Sequence, residues 1–223
     1  MMSTTDIALW NEGYLLQNRL YMNQFIRFIF DIPPDRQQLV TLINHSHWKS
    51  LCEISVGFRL INESIQELHT DDNSEKIKQL KEEYSRLFVG PNALPAPLWE
   101  SVYLSREHLL FDEVTLAVRK CYRQYGLSFI RESSEPDDHI VIELEFLSYL
   151  IQKTLESDDV AAKKELLDDQ YSFIINHLLK WCPLFCEALS NSTSFKLYQG
   201  AAMLLTEYLN LEKELIPALK EVL

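Results

Sequence analysis

The stretch EPDDHIVIELEF, from Glu135 to Phe146, carries the residues of this chain that are best suited to chemistry. Three carboxylates and His139 stand directly before an almost wholly apolar run, and Glu143 follows His139 by one helical turn. Such a cluster can cap a helix, hold a metal ion, act as an acid–base pair or form the polar end of a binding groove. Each of these roles implies a different kind of protein.

A helix cap explains the acidic residues. Ser134 is a favourable N-cap residue, and Pro136 suits a first helical turn. Asp137 and Asp138 would then face the positive end of the helix dipole, where each charge is worth about 0.3–1 kcal/mol. A cap does not explain His139, because a cation is unfavourable at that end. This arrangement predicts a neutral imidazole unless the acidic neighbours hold its proton.

A metal-dependent hydrolase is the enzymatic interpretation, with Asp137, Asp138, His139 and Glu143 as its reactive groups. These residues supply only part of a coordination sphere. No histidine has a glutamate three residues before it, and His-Glu-x-x-His is absent. Neither a Gly-x-Ser-x-Gly nucleophile motif nor a phosphate loop occurs. We therefore predict a binding protein without catalytic residues or cofactor, and the hydrolase remains the alternative.

A binding groove would combine this cluster with the segment VGPNALPAPLWESVYL, residues 89–104. Carboxylates beside a buried helix can accept a guanidinium in bidentate geometry. The segment has three prolines, which exclude a regular helix, and it carries large apolar residues, namely Leu94, Leu98, Trp99, Val102 and Tyr103. Such a loop either lies across the core with Trp99 as its anchor or meets a partner. Composition favours neither possibility.

Helical periodicity of apolar residues runs through nearly all of the chain. The predicted helices cover residues 6–30, 35–46, 51–68, 77–88, 114–125, about 136–156, 159–181 and 194–213. No stretch alternates as a strand would. The fold class is therefore predicted to be all-α, a single domain spanning 1–223 that forms a helical bundle with one long proline-rich apolar loop.

Charge limits the partners of the chain. Lys and Arg number 21 against 33 Asp and Glu, which gives a net charge of −12. Nucleic acids and anionic membrane surfaces reward basic proteins, so neither is a predicted partner, whereas a basic ligand is compatible. The four cysteines include no Cys-x-x-Cys pair and are predicted to be reduced thiols.

The sequence also predicts a cytoplasmic protein without membrane insertion. The longest run free of charged residues, Leu87 to Trp99, has thirteen residues and three prolines, which is too short to span a bilayer. No basic residue precedes Arg19, so the beginning of the chain is unlike a secretory or twin-arginine leader.

Two motifs together resemble the TorD/DmsD family of redox-enzyme maturation chaperones, with the greatest likeness to its DmsD type. The first motif is matched by Tyr84, Leu87, Phe88, Gly90, Pro91, Pro97, Trp99, Ser101 and Tyr103. The second, Glu-Pro-x-Asp-His, is matched by Glu135, Pro136, Asp138 and His139. The likeness extends over residues 80–150. One departure lies in the loop, where this chain has Pro97-Leu98-Trp99 and the family often has Pro-Pro-Trp.

The resemblance implies a chaperone that binds the twin-arginine leader peptide of a molybdoenzyme catalytic subunit of the dimethyl sulfoxide reductase type. Export would wait until the cofactor is inserted, and the export machinery is a further possible partner. By matching position, the peptide-binding residues would be Tyr84, Leu87, Leu98, Trp99, Asp138 and His139, and the same groove would include Glu100 and Tyr103.

Two alternatives remain open at the sequence level. For Tyr84 and Leu87 a role in the core is at least as compatible as a contact with peptide, because both lie on the apolar stripe of their helix. An assembly factor of the nitrate reductase type, which docks on the mature reductase instead of its leader, is the other functional alternative besides the hydrolase.

Overall fold

The structure is a computed structural model, and it describes residues 12–43, 47–68, 74–105, 113–128 and 136–223. Every regular element in these ranges is a helix, apart from an isolated antiparallel bridge between Trp99 and His139. The predicted all-α fold class is therefore confirmed. None of the described helices is both long enough and apolar enough to cross a membrane.

Eleven α-helices lie in the described ranges. They are α1 (Glu12–Asp31), α2 (Arg36–Ile43), α3 (Trp48–Ile54), α4 (Val56–Gln66), α5 (Ser74–Tyr84), α6 (Glu100–Leu104), α7 (Glu113–Gln124), α8 (Ile140–Glu156), α9 (Val160–Phe173), α10 (Leu179–Ser192) and α11 (Lys196–Val222). Two π-helical turns, Ser85–Val89 and Ile174–Leu178, extend α5 and join α9 to α10.

The described residues fall into two compact units that alternate along the chain. The first unit comprises residues 12–28, 99–105, 113–128, 136–181 and 208–223, and the second comprises 29–43, 47–68, 74–98 and 182–207. One boundary between them falls between Leu98 and Trp99, inside the proline-rich segment. The single domain expected over 1–223 stays a prediction.

Helix α8 forms the centre of the first unit. It is apolar on almost all sides, as a central buried helix should be, and Leu144, Leu147 and Leu150 are fully buried. Phe146 of α8 packs against Tyr122 of α7 and Phe173 of α9, with ring centroids 4.8 and 4.9 Å apart. Helices α7 and α9 thus pack against the first half of α8.

A buried ion pair joins α1 to α11 within the first unit. The Nη2 atom of Arg19 donates to Glu212 at 2.6 Å and to the side-chain oxygen of Gln170 at 2.7 Å. Gln170 in turn donates to Thr154 at 2.7 Å. Removing one partner of such a pair would leave a buried charge uncompensated, at a cost of about 3–5 kcal/mol.

Two glycines bring α4 and α11 together in the second unit. A Cβ atom on Gly57 would lie 2.5 Å from the backbone nitrogen of Leu204, and one on Gly200 would lie 2.8 Å from the carbonyl oxygen of Gly57. The side chain of Glu207 accepts the backbone N–H of Val56 at 3.0 Å and so caps α4 from the other helix.

Several helix boundaries differ from the sequence prediction. The helix predicted over 51–68 is broken at Ser55, an extended residue whose hydroxyl accepts the N–H of Phe58 and begins a new helix. Helix α10 passes through Pro183, and α11 continues to Val222 instead of residue 213. In the proline-rich segment, residues 90–98 form no helix, but α6 begins directly after Trp99.

The largest difference concerns α8, which begins at Ile140 and not near residue 136. The prediction of Pro136 in its first turn is wrong, because His139 is the N-cap residue. Ser134, the predicted cap, lies outside the described residues. Asp137 and Asp138 therefore precede the helix, and they have other partners.

Candidate functional site

The bridge between Trp99 and His139 joins the N-cap residues of α6 and α8. The backbone N–H of Glu100 donates to the carbonyl oxygen of Asp138 at 3.0 Å. The rings of Trp99 and His139 meet edge to face, with centroids 5.1 Å apart and an interplanar angle of 78°. We call Trp99, Glu100, Asp138 and His139 the Trp99–His139 cluster.

Asp138 holds this cluster together from inside the first unit. Its side chain is fully buried, with one oxygen accepting the backbone N–H of Ser101 at 2.7 Å and the other accepting the hydroxyl of Thr115 at 2.9 Å. Trp99, the N-cap residue of α6, makes no capping hydrogen bond with its own side chain. The carboxylate of Asp138 caps α6 instead. Both oxygens already have donors in this arrangement.

His139 caps its own helix. Its Nδ1 atom accepts the backbone N–H of Val141 at 3.2 Å, which requires that nitrogen to carry no proton. Burial lowers the pKa of His139 to about 4, so the imidazole is neutral near neutral pH. The sequence predicted a neutral ring for a different reason, the positive end of the helix dipole.

Asp137 lies beside this cluster and pairs with the guanidinium of Arg119. The hydroxyl of Tyr122 donates to the carbonyl oxygen of Asp137 at 3.0 Å. The other carboxylate oxygen of Asp137 is buried and has no hydrogen-bond partner among the described residues. The backbone between Pro136 and His139 is thereby fixed to α7.

Glu100 turns its carboxylate into the first unit. It lies 3.1 Å from Nδ1 of His177, whose Nε2 lies 3.7 Å from the sulfur of Cys121. Burial on its own would lower the pKa of His177, but the contacts with Cys121 and Glu100 outweigh burial and raise it to about 9. His177 is therefore an imidazolium near neutral pH, and it compensates the buried charge of Glu100.

Glu143 lies one turn into α8 and is fully buried. Its Oε2 accepts the indole N–H of Trp181 at 3.1 Å, and the ring of Trp181 stacks on Tyr103 at 5.5 Å. Burial, followed by the nearby charge of Glu100, raises the pKa of Glu143 well above its usual range. A neutral carboxylic acid is thus favoured at this position.

This geometry does not support a metal centre. Among the residues that the structure describes, no group of three or more His, Cys, Asp or Glu side chains could hold a metal ion. Asp137 is engaged by Arg119, and Asp138 by two hydrogen-bond donors. The alternative of a metal-dependent hydrolase built from Asp137, Asp138, His139 and Glu143 therefore gains no support.

Comparison with known proteins places the chain in a family. A family model described as nitrate reductase delta subunit matches residues 53–187. The probable Tat proofreading chaperone DmsD of Haemophilus influenzae is 30% identical over 173 residues, which cover 74% of each chain. The chaperone protein TorD of Aliivibrio salmonicida is 28% identical over 160 residues, covering 72% of this chain and 74% of its own. The chain belongs to the TorD/DmsD family of redox-enzyme maturation chaperones.

As a member of the TorD/DmsD family, the protein is a maturation chaperone and not an enzyme. A crystal structure of a redox enzyme maturation protein from Archaeoglobus fulgidus is also similar, with a TM-score of 0.47 and 23% sequence identity. That match covers 89% of this chain and 93% of the other.

The residues named from the family motifs separate into two groups. Trp99, Glu100, Tyr103, Asp138 and His139 all belong to the first unit. Trp99, Tyr103 and His139 are partly exposed, whereas Glu100 and Asp138 are buried. In this unit, partly exposed aromatic side chains thus lie over buried carboxylates.

Tyr84, Leu87 and Leu98 belong to the second unit and are almost completely buried there. The hydroxyl of Tyr84 donates to the carbonyl oxygen of Phe30 at 2.8 Å. Leu87 lies in the π-helical turn Ser85–Val89, and Gly90, which follows the turn, has a φ of 61° that favours glycine. Packing accounts for these positions, although their predicted role in peptide binding stays a prediction.

Sequence reasoning missed several residues that complete the site. In the sequence, Ser101 stands out only as one position of the first motif. Thr115, Arg119, His177 and Trp181 carry no local signal, because each is distant in sequence from the side chain that it contacts. A glutamate three residues before a histidine and the His-Glu-x-x-His motif are both local patterns, so neither detects a buried pair such as His177 and Glu100.

Proposed function

We propose that this chaperone binds the twin-arginine leader peptide of a molybdenum-containing oxidoreductase of the dimethyl sulfoxide reductase type. Binding takes place in the cytoplasm and delays export until the enzyme is mature. The names of the relatives support this proposal, since the Haemophilus influenzae protein is called a probable Tat proofreading chaperone. Release of the leader to the export machinery would follow.

The observation that carries the proposal is the exposure pattern of the Trp99–His139 cluster. Trp99 and His139 are held by a backbone bridge and a ring contact, so little side-chain entropy remains to be lost when a ligand binds. The indole N–H of Trp99 is buried and has no hydrogen-bond partner in the described part of the chain. Rigid aromatic side chains of this kind carry much of the affinity in peptide interfaces.

The residues of the site divide into contacts and supports under this proposal. Trp99, Tyr103 and His139 touch the leader. Glu100 and Asp138 hold these side chains in position without touching the leader, since Glu100 is bound to His177 and Asp138 caps α6. The roles of Tyr84, Leu87 and Leu98 are to pack the second unit, which leads directly into Trp99 along the chain.

The negative net charge of the chain favours a ligand that carries arginines. The chain has a net charge of −12, and such an excess accelerates association with a cationic peptide more than it strengthens the complex. Asp137 has a buried carboxylate oxygen without a partner among the described residues, and it already accepts one guanidinium from Arg119. Because Asp137 is only 1% exposed and is paired with Arg119, it supports the site and does not contact the arginines of the leader.

Fluorescence anisotropy with labelled twin-arginine leaders from the same organism tests the proposal. We expect saturable binding to one or a few leaders, and weaker binding of the same leaders when both arginines are replaced by lysines. Folded protein that binds no leader would contradict the proposal. The leader that binds identifies the client enzyme.

A second candidate function follows from the family model, whose description names a nitrate reductase subunit. On that hypothesis the chain docks on the mature reductase instead of its leader. Competition separates the two functions. A leaderless reductase that displaces nothing from a leader complex favours leader binding, whereas binding of the leaderless enzyme with no affinity for leaders favours docking.

A further inference from the structure

A cavity in the first unit contains the only cysteine of that unit's described residues, Cys121. The cavity has a volume of about 150 Å³ and includes His177, Tyr125, Asp169 and Phe173 in its lining. Cys121 is partly exposed, unlike the buried cysteines at 182 and 186. A small molecule can therefore approach its sulfur.

The sulfur of Cys121 contacts His177, and His177 in turn contacts Glu100. The sulfur lies 3.7 Å from Nε2 of His177, and Nδ1 of the same ring lies 3.1 Å from the carboxylate of Glu100. A carboxylate that holds an imidazolium against a cysteine sulfur favours the thiolate and so activates cysteine as a nucleophile. The maturation function uses none of this chemistry.

We propose that Cys121, His177 and Glu100 form a reactive-thiol site, at which the sulfur of Cys121 reacts with small uncharged peroxides and other small electrophiles. The thiol releases its proton to solvent, the imidazolium of His177 stabilises the resulting thiolate, and Glu100 stabilises the imidazolium. With hydrogen peroxide, the sulfur attacks one oxygen and the O–O bond breaks. The sulfur is oxidised to a sulfenic acid, and the peroxide is reduced to water with the proton from His177.

The other groups facing the site decide which electrophiles it accepts. Asp169 lines the cavity and accepts the hydroxyl of Tyr125, so its negative charge repels anions and opposes the thiolate. The imidazolium of His177 is in direct contact with the sulfur and favours the thiolate. Glu143 interacts with Glu100, but it contributes little opposing charge because burial raises its pKa and favours its neutral form. Small neutral reagents therefore fit best.

Cys52 provides a control within the same chain. It is also partly exposed, but its sulfur contacts a backbone carbonyl oxygen, that of Phe58, at 3.7 Å. Burial raises the pKa of the Cys52 thiol, and the nearby Arg59 only partly offsets this. The two thiols therefore differ in their chemical partner more than in their access to solvent.

Alkylation by iodoacetamide, followed for each cysteine by mass spectrometry across a range of pH, tests the proposal. The sulfur displaces iodide and forms a thioether. At about pH 6 we expect Cys121 to react at least about ten-fold faster than Cys52, because the imidazolium of His177 lies 3.7 Å from the sulfur of Cys121 and no cation among the described residues contacts that of Cys52 in this way. In His177→Gln this advantage disappears, and the rate of Cys121 rises with pH in parallel with that of Cys52.

Equal pH profiles for Cys121 and Cys52 in the wild-type protein would overturn the proposal. So would a His177→Gln variant that folds and keeps the fast reaction. If that variant does not fold, the wild-type profiles decide by themselves. Dilute hydrogen peroxide followed by dimedone provides a second readout, in which the sulfenic acid is expected at Cys121 and not at Cys52.

Discussion

The two sides of the Leu98–Trp99 junction use one continuous sequence motif in opposite ways. Before the junction, Tyr84, Leu87 and Leu98 are 4%, 0% and 2% exposed, and all three belong to the second unit. After it, Trp99 is partly exposed and rests on a polar network of the first unit. Matching a family motif is therefore compatible with two physical roles.

The residues on the two sides of the junction differ in which interactions their substitution would remove. A buried leucine contributes through transfer from water and close packing, which affect folding. A partly exposed aromatic ring on a rigid support contributes to folding less and retains surface for a ligand. Stability and leader affinity should therefore respond to different residues of the same motif.

Leu87→Ala should have the largest effect, and it should be on stability. Truncating a fully buried leucine costs about 2–5 kcal/mol, so the free energy of unfolding in urea should fall by that amount. The affinity of the folded fraction for the leader should change less than about two-fold, which is within the range of substitutions that touch no interface.

Val89→Ala is the matched control for Leu87→Ala. Val89 lies in the same π-helical turn and is 64% exposed, so its truncation should change stability by no more than about 0.5 kcal/mol. If Leu87→Ala instead reduces leader affinity at unchanged stability, Leu87 belongs to the binding surface and the distinction between the two sides fails.

Trp99→Ala should have the next largest effect, and it should be on binding. Loss of an aromatic anchor costs about 2 kcal/mol, which corresponds to about 30-fold in the dissociation constant of the leader. The helical circular dichroism signal should be retained, because α6 keeps its cap from Asp138. Anisotropy titration and circular dichroism of the same sample provide both readouts.

Tyr149→Ala tests whether any partly exposed aromatic residue of the first unit would give the same result. Tyr149 lines a separate cavity of about 310 Å³ between α7 and α8, together with Tyr122, Ile142 and Phe146. We expect little change in leader affinity. If Tyr149→Ala weakens binding while Trp99→Ala does not, the leader occupies that cavity and not the Trp99–His139 cluster.

Asp138→Asn should have a smaller effect, because an amide can keep both contacts. Its oxygen can accept the N–H of Ser101 while its NH2 group donates to Thr115, so charge-assisted bonds become neutral ones at a cost of about 1–2 kcal/mol in the free energy of unfolding. Leader binding should weaken through the position of Trp99. The loss should then be equal for leaders with two arginines and with two lysines.

A greater loss for the arginine leader would show that Asp138 contacts the guanidinium groups directly. Bidentate pairing distinguishes arginine from lysine, whereas a change in the position of Trp99 does not. The comparison of the two leaders thus decides between the contact expected from the sequence and the supporting role that burial favours.

The helices could largely be predicted from the sequence because their signal is local. The apolar positions of α8, such as Leu144 and Leu147, repeat with helical period and are buried as expected. The break at Ser55 could not be predicted, since a serine within a helical pattern is compatible with either continuation or a new cap.

The sequence predicts which residues belong to the Trp99–His139 cluster but not which hydrogen-bond partners they have. Asp138 and His139 were named correctly as neighbours of a buried helix, yet the partners of Asp138 are 37 and 23 residues away in sequence. His177 is 77 residues from Glu100. Periodicity contains no information on such pairings, and only the packing of α6, α7 and α9 around α8 creates them.

His139 provides the smallest expected effect and the finest test of the Trp99–His139 cluster. Its pKa is lowered from 6.5 to about 4 in the folded protein, so below pH 6.5 the unfolded chain binds a proton that the folded chain does not. Its contribution to stability is therefore present above pH 6.5 and is lost as the pH falls towards 4. At about pH 5.5 the loss should be about 1 kcal/mol.

The pH dependence of wild-type stability alone cannot report this loss, because the pKa of Glu143 is raised well above 4.5 and this residue becomes stabilising as the pH falls towards 4.5. The stabilisation from His177 is already complete below about pH 6.5. His139→Asn isolates the loss from His139, since asparagine is a good N-cap residue that can still accept the N–H of Val141 but does not titrate. Urea unfolding at several pH values should show the wild type losing stability relative to the variant below pH 6.5. A constant difference would mean that His139 is solvated, and the rigid Trp99 support on which leader binding is proposed to rest would lose its basis.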